Sequence, residues 1–182
     1  ALGALNHVDA TENVAVGDAA ADALVGATGA GKWNTAVGSA SLSTSIDGTG
    51  NTAIGYSALY GGDCADDNTA VGKHALKVFT GSDAVAIGSG AADVAVSQSN
   101  LTAVGTGALG VATAGNNNTA VGATSLQTVD GIQNTAVGSS ALAADCLNNN
   151  VAVGYQAGLV NTGADNTIVG SEAGKAFTGS NA

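Results

Sequence analysis

The sequence predicts an all-β chain folded as a parallel β-solenoid, and three observations carry that prediction. A pentapeptide close to Asn-Thr-Ala-Val-Gly returns ten times in 182 residues, at intervals of 16 or 17 residues and once of 21. Within each return, large and small side chains alternate in steps of two, the period of a strand. Between returns lie clusters of glycine, asparagine and aspartate, and the chain has no proline. A short, fixed interval makes each unit one coil of a stacked array, in which residues about sixteen apart become neighbours. Proline would remove a ladder donor from a sheet whose strands are nearly all internal.

Each element of a coil follows from its distance to the anchoring glycine. Those glycines are Gly17, Gly38, Gly55, Gly72, Gly88, Gly105, Gly122, Gly138, Gly154 and Gly170, and turns are expected at all ten. Immediately before them stand Val16, Val37, Ile54, Val71, Ile87, Val104, Val121, Val137, Val153 and Val169. Two places before the glycine is alanine, except at Ile168, and three places before is threonine or valine. One face of this strand therefore carries a Val/Ile row beside a Thr/Val row, and the other carries alanine. Three places after each glycine stands Ala or Ser, followed in six coils by leucine: Leu42, Leu59, Leu76, Leu109, Leu126 and Leu142. A second, shorter strand is expected there, with these leucines meeting the Val/Ile row in the core. The alanine face then looks outward. With so few large apolar side chains per coil, the roll is expected to lean on neighbouring chains.

Corners come next. Asparagine lies four places before the glycine in eight coils, at Asn13, Asn34, Asn51, Asn68, Asn118, Asn134, Asn150 and Asn166. There it is expected to satisfy its own backbone and to stack amide on amide along the axis. Tracts such as Asp47-Gly48-Thr49-Gly50 and Gly115-Asn116-Asn117 supply the positive backbone angles of the bends. No window combines a sustained 3.6-residue period with helix caps.

The charge balance narrows the function. Four lysines against fourteen Asp and Glu give a net charge of −10, and there is no arginine. Such a rod has no footprint for nucleic acid and is repelled by anionic membrane surfaces. No stretch is long and apolar enough to cross a bilayer. Residues 26–33 match most of a phosphate-binding P-loop, but Trp33 stands where that loop needs Ser or Thr, and a strand follows instead of a helix. An enlarged turn is the expectation. Cys64 and Cys146, five coils apart, lie beyond disulfide reach and are expected as thiols in surface loops. His7 and His74 are too distant to share a metal. Asp63, Asp66 and Asp67 crowd one turn, where a solvated acidic corner is expected over a calcium site, because the glycine-aspartate pattern of calcium rolls is absent. No Ser-His-Asp or Cys-His arrangement recurs in register. The expectation is no enzyme, no cofactor and no metal. Tyr56 and Tyr155, just after their glycines, are expected to project where a sugar could stack.

The repeated Val/Ile-Gly strand with alternating alanine resembles the head repeats of trimeric autotransporter adhesins of the Yersinia adhesin type. It is still more similar to the Asn-Thr-Ala-Ile-Gly repeats of bacteriophage and other viral tail fibres. The resemblance covers residues 13–182. It implies a left-handed β-roll in a parallel homotrimer, and an extracellular place on a virion or a bacterial surface. The adhesin repeat is shorter and carries its asparagine one place earlier, a placement matched here only by Asn100, so the fibre repeats are the nearer resemblance. Ala4-Leu5 fits the small-plus-leucine position of a preceding coil, and residues 175–182 repeat 77–84. The chain is therefore expected to be a segment of a longer fibre, cut in mid-repeat at both ends. The expected function is a shaft presenting a receptor-binding tip, whose partners are itself, the rest of the fibre and a host-surface glycan or protein. The alternative is an adhesin head that binds host matrix or cells directly. A third reading, an ice-binding solenoid, follows from the recurring threonine and is weakened by the Val/Ile second row.

Overall fold

The structure, a computed structural model, describes residues 12–24, 31–62, 65–95, 97–112, 115–144, 146–176 and 178–180. These contain strands, turns and bends, and no helix among the described residues. Ten strands of three residues form one parallel sheet: β1 (Val14–Val16), β2 (Thr35–Val37), β3 (Thr52–Ile54), β4 (Thr69–Val71), β5 (Val85–Ile87), β7 (Thr102–Val104), β9 (Thr119–Val121), β11 (Thr135–Val137), β12 (Val151–Val153) and β13 (Thr167–Val169). Each pairs in register with the next, as in Thr102↔Thr119, Ala103↔Ala120 and Val104↔Val121. The long interval between Gly17 and Gly38 leaves that register intact, with Ala15 opposite Ala36. The fold is the parallel β-solenoid that the repeat predicts.

A second, smaller sheet departs from expectation. It holds β6 (Val94–Ala95), β8 (Val111–Ala112) and β10 (Thr128–Val129), and single bridges extend it through Val78 to Gly61. These strands begin six residues after the glycine, beyond the leucines expected to form them. The leucine segment is instead a tight bend. Positive φ recurs two and four residues after the glycine, as at His74 (59°) and Leu76 (49°), which curls the chain too sharply for a strand.

The core is also inverted relative to expectation. Ala36, Ala53, Ala70, Ala86, Ala103, Ala120, Ala136 and Ala152 are completely buried, and Leu42, Leu59, Leu76, Leu109, Leu126 and Leu142 are buried against them. Val16, Ile54, Ile87, Val121, Val137, Val153 and Val169 are exposed, and Val37, Val71 and Val104 are half-buried. Their row lies outside the single chain. The reason is width: a coil of about sixteen residues leaves one layer of space between strand and bend. Leucine fills it from the bend side, so the facing strand residue must be small. The end of the array shows the same rule reversed. Gly158 takes the leucine position, and the strand residue facing it is Ile168, whose Cδ1 would lie 3.1 Å from a Cβ at Gly158.

Each of these six bend leucines sits at φ between 44° and 50°. The left-handed conformation costs roughly 1–2 kcal/mol for an L-residue. Burying a leucine side chain returns about 1.5–3 kcal/mol, so burial carries the bend.

Candidate functional site

The asparagines build the corner that leads into each strand. Asn34, Asn51, Asn68, Asn118, Asn134, Asn150 and Asn166 are all buried. Asn34 Oδ1 accepts the Asn51 N–H at 2.8 Å, and Asn51 Oδ1 accepts the Asn68 N–H at 2.9 Å. Asn51 Nδ2 donates to the Ala65 carbonyl at 3.0 Å. Asn68, Asn118 and Asn150 also donate to their own corners, at the Ala65, Gly115 and Leu147 carbonyls, so the amides fill the expected local role and in addition bridge one coil to the next. At Ala84 and Leu101 the ladder is interrupted, and the apolar Leu101 and Phe79 are buried in that stretch.

Past this corner lies the continuous outer face of the ten-stranded sheet. It presents two rows along the axis. One is Val14, Thr35, Thr52, Thr69, Val85, Thr102, Thr119, Thr135, Val151 and Thr167; the other is the Val/Ile row. None of these twenty residues is charged, in a chain of net charge −10. Val16 is 56% exposed and Val169 68%. Strands in register keep the rows straight, so the face is a regular, mostly apolar strip with hydroxyls along one side.

Two borders flank the strip. Five residues before each glycine lies a bend residue at positive φ, including Glu12, Trp33, Asp67, Asp83, Asn100, Asn117 and Asp165, all exposed. One residue after each glycine lies the opposite border, exposed at Asp18, Tyr56, Lys73 and Tyr155 among others. Tyr56 and Tyr155 project as expected, and the Tyr56 ring lies 5.5 Å from that of His74. Trp33 is exposed beside the start of β2.

Other expected features are not brought together into a site. Cys146 is buried, contrary to the expected surface thiol, and its backbone carbonyl stacks closely on Gly131 of the preceding coil. Cys64, His7, Asp63 and residues 26–30 lie outside the described residues, as do Ala4-Leu5 and residues 181–182. Among the described residues, no three His, Cys, Asp or Glu side chains gather where they could hold a metal ion. No family model, curated protein or solved structure matches this chain.

Sequence reasoning passed over the charges on the two borders, of which Asp83 and Lys73 are the informative ones. Their signal was present as a fixed offset from the glycine. It becomes legible only once the strip between them is known to face outward.

Proposed function

We infer that this chain is a structural rod that assembles with further copies of itself through the outer face of the ten-stranded sheet. The observation that supports this most directly is the exclusion of charge from all twenty positions of an exposed, apolar-rich face on an acidic chain. Exposed apolar strips of that extent mark interaction surfaces. Charge elsewhere keeps the assembly soluble and resists lateral clumping. A three-fold bundle, with the Val/Ile rows turned to a common axis, is the arrangement that the resemblance to fibre repeats implies. Ten strands at ~4.8 Å give a rod segment about 48 Å long. In this reading it is the shaft of an extracellular attachment fibre, on a virion or a bacterial surface, holding a receptor-binding tip. Sedimentation equilibrium of the wild-type chain tests the reading. A trimer supports it, and Val104→Asp, in the middle of the strip, should stay folded but become monomeric, because a charge buried at the interface costs several kcal/mol. A wild-type chain that remains monomeric at high concentration defeats it.

One observation favours a second reading. Both strand rows face outward on one sheet, so Thr and Val/Ile form a repeating array at the strand spacing, as an ice-binding surface requires. That function needs the face uncovered. A monomer that produces thermal hysteresis supports it, and the absence of hysteresis removes it.

A further inference from the structure

The strip that would join the copies is degenerate along its axis. Sliding one copy past another by one coil, about 4.8 Å, again brings Val/Ile onto Val/Ile and the Thr/Val row onto itself. The apolar rows therefore supply attraction without choosing a register or a direction. The borders break this degeneracy at one height.

On the leading border, next to β4 and β5, lie Asp66, Asp67 and Asp83, all exposed or half-exposed at the surface and held in place. Asp66 Oδ1 accepts the Thr49 N–H at 2.8 Å. Asp67 lies over Gly50, where a Cβ would strike its Oδ1. Ser82 Oγ donates to Asp83 Oδ2 at 2.8 Å. On the trailing side of the same coil are Lys73, directly after Gly72 on the border itself, and Lys77, four residues further round the bend where the second sheet begins. These are two of the four lysines in the chain. Lys175 already meets Glu172 at 3.5 Å, whereas Lys73 and Lys77 form no ion pair among the described residues. The strip separates the two charge clusters within one chain by roughly 15–20 Å, beyond the Debye length at physiological salt. They are too far apart to serve each other.

Symmetry brings them together. A rotation axis parallel to the rod sets the leading border of one copy against the trailing border of the next at equal height, whatever the number of copies. A two-fold axis across the rod instead sets leading border against leading border, aspartate facing aspartate. Resting on the assembly reading above, the geometry points to an electrostatic register key: Asp66 and Asp67 of one copy, with Asp83 one coil on, pair with Lys73 and Lys77 of the next. The key selects parallel packing; a slip that sets Lys73 opposite Gly50 and Thr49 forfeits it, and a slip the other way leaves Lys73 facing Asp83 alone in place of Asp66 and Asp67. Exposed pairs contribute little affinity individually, but like charges opposed at an interface discriminate strongly against the wrong arrangement.

Charge reversal with self-rescue tests this. Lys73→Glu/Lys77→Glu makes both borders acidic, and Asp66→Lys/Asp67→Lys makes both basic. Each double variant should raise the apparent subunit dissociation constant by about tenfold or more in sedimentation equilibrium. The chain carrying all four changes restores opposite charges and should return to within about threefold of wild type. Far-UV circular dichroism checks that each variant folds. The four-fold variant contains every local disturbance of the doubles, so its recovery isolates the pairing between copies. An oligomeric wild type whose double variants assemble normally, or whose four-fold variant stays as weak as the doubles, overturns the key alone. A monomeric wild type overturns the assembly reading and the key with it.

Discussion

Gly105 shows how tightly one residue is held in this fold. Its φ is +134°, and a Cβ there would lie 2.6 Å from the carbonyl carbon and oxygen of Gly122 in the next coil. Substitution thus meets two penalties, the backbone angle and the close approach of stacked coils. Gly170 shares the angle, at +130°, but a Cβ there would meet nothing nearer than Ala173 Cβ at 3.5 Å. The prediction is a comparison. Gly170→Ala should cost the backbone part, about 1–3 kcal/mol, and Gly105→Ala should cost clearly more, because backbone atoms cannot move aside without parting the ladder. Urea unfolding of the two variants checks this, and equal losses would mean that the close approach carries no weight. The glycine column was legible in the sequence because spacing alone exposes it. The asparagine column was only half legible. Its positions and local role were plain, but its other partners lie one coil away, so Asn51 reaching the Asn68 N–H follows from stacking and not from local pattern.

At the scale of the strand and the bend it faces, packing inside a coil is a complementary pair. Alanine on the strand answers leucine on the bend, and Ile168 answers Gly158. This predicts strong non-additivity at Leu109 and Ala120, which occupy the corresponding positions in the middle of the rod. Leu109→Gly should destabilise by about 2–5 kcal/mol through the cavity it leaves. Ala120→Ile alone should also destabilise, by about 1–3 kcal/mol through overpacking. Together they should cost less than either sum, and less than Leu109→Gly alone if the isoleucine fills the space. Thermal or urea unfolding of the three variants measures the coupling, and simple additivity would refute the pairing. The same element shows why the direction of the strand was misjudged from sequence. Alternation defines two faces without saying which one is inside. Hydrophobicity favours Val/Ile inward, but the width of a sixteen-residue coil overrides it, and width is a property of the closed coil. The second strand was misplaced for a related reason: leucine suits a strand in isolation, yet here it occupies a left-handed bend.

For the molecule as a whole, each coil meets only its two neighbours, so stability should be close to a sum of coil and interface contributions. A whole coil is then removable if the register on either side is kept. Deleting residues 119–134 joins Asn118 to Thr135 and keeps a 17-residue interval between the flanking glycines, Gly105 and Gly138. Strand β11 would pair with β7, and Asn118 would replace Asn134 as acceptor of the Asn150 N–H. The shortened chain should fold with a nine-stranded sheet, keep the uncharged strip continuous, and be shorter by about 4.8 Å along its axis. Deleting only residues 119–126 removes half a coil, stretches the same interval to 25 residues and takes out β9 without closing the gap. That chain should lose cooperative unfolding. Small-angle scattering gives the length, and circular dichroism with thermal unfolding gives the integrity. If the whole-coil deletion unfolds as readily as the half-coil one, the coils are not independent repeating units. If it folds but its oligomeric state changes while Asp66, Asp67, Lys73 and Lys77 are untouched, the strip on the removed coil contributes more to assembly than one tenth of a uniform face should.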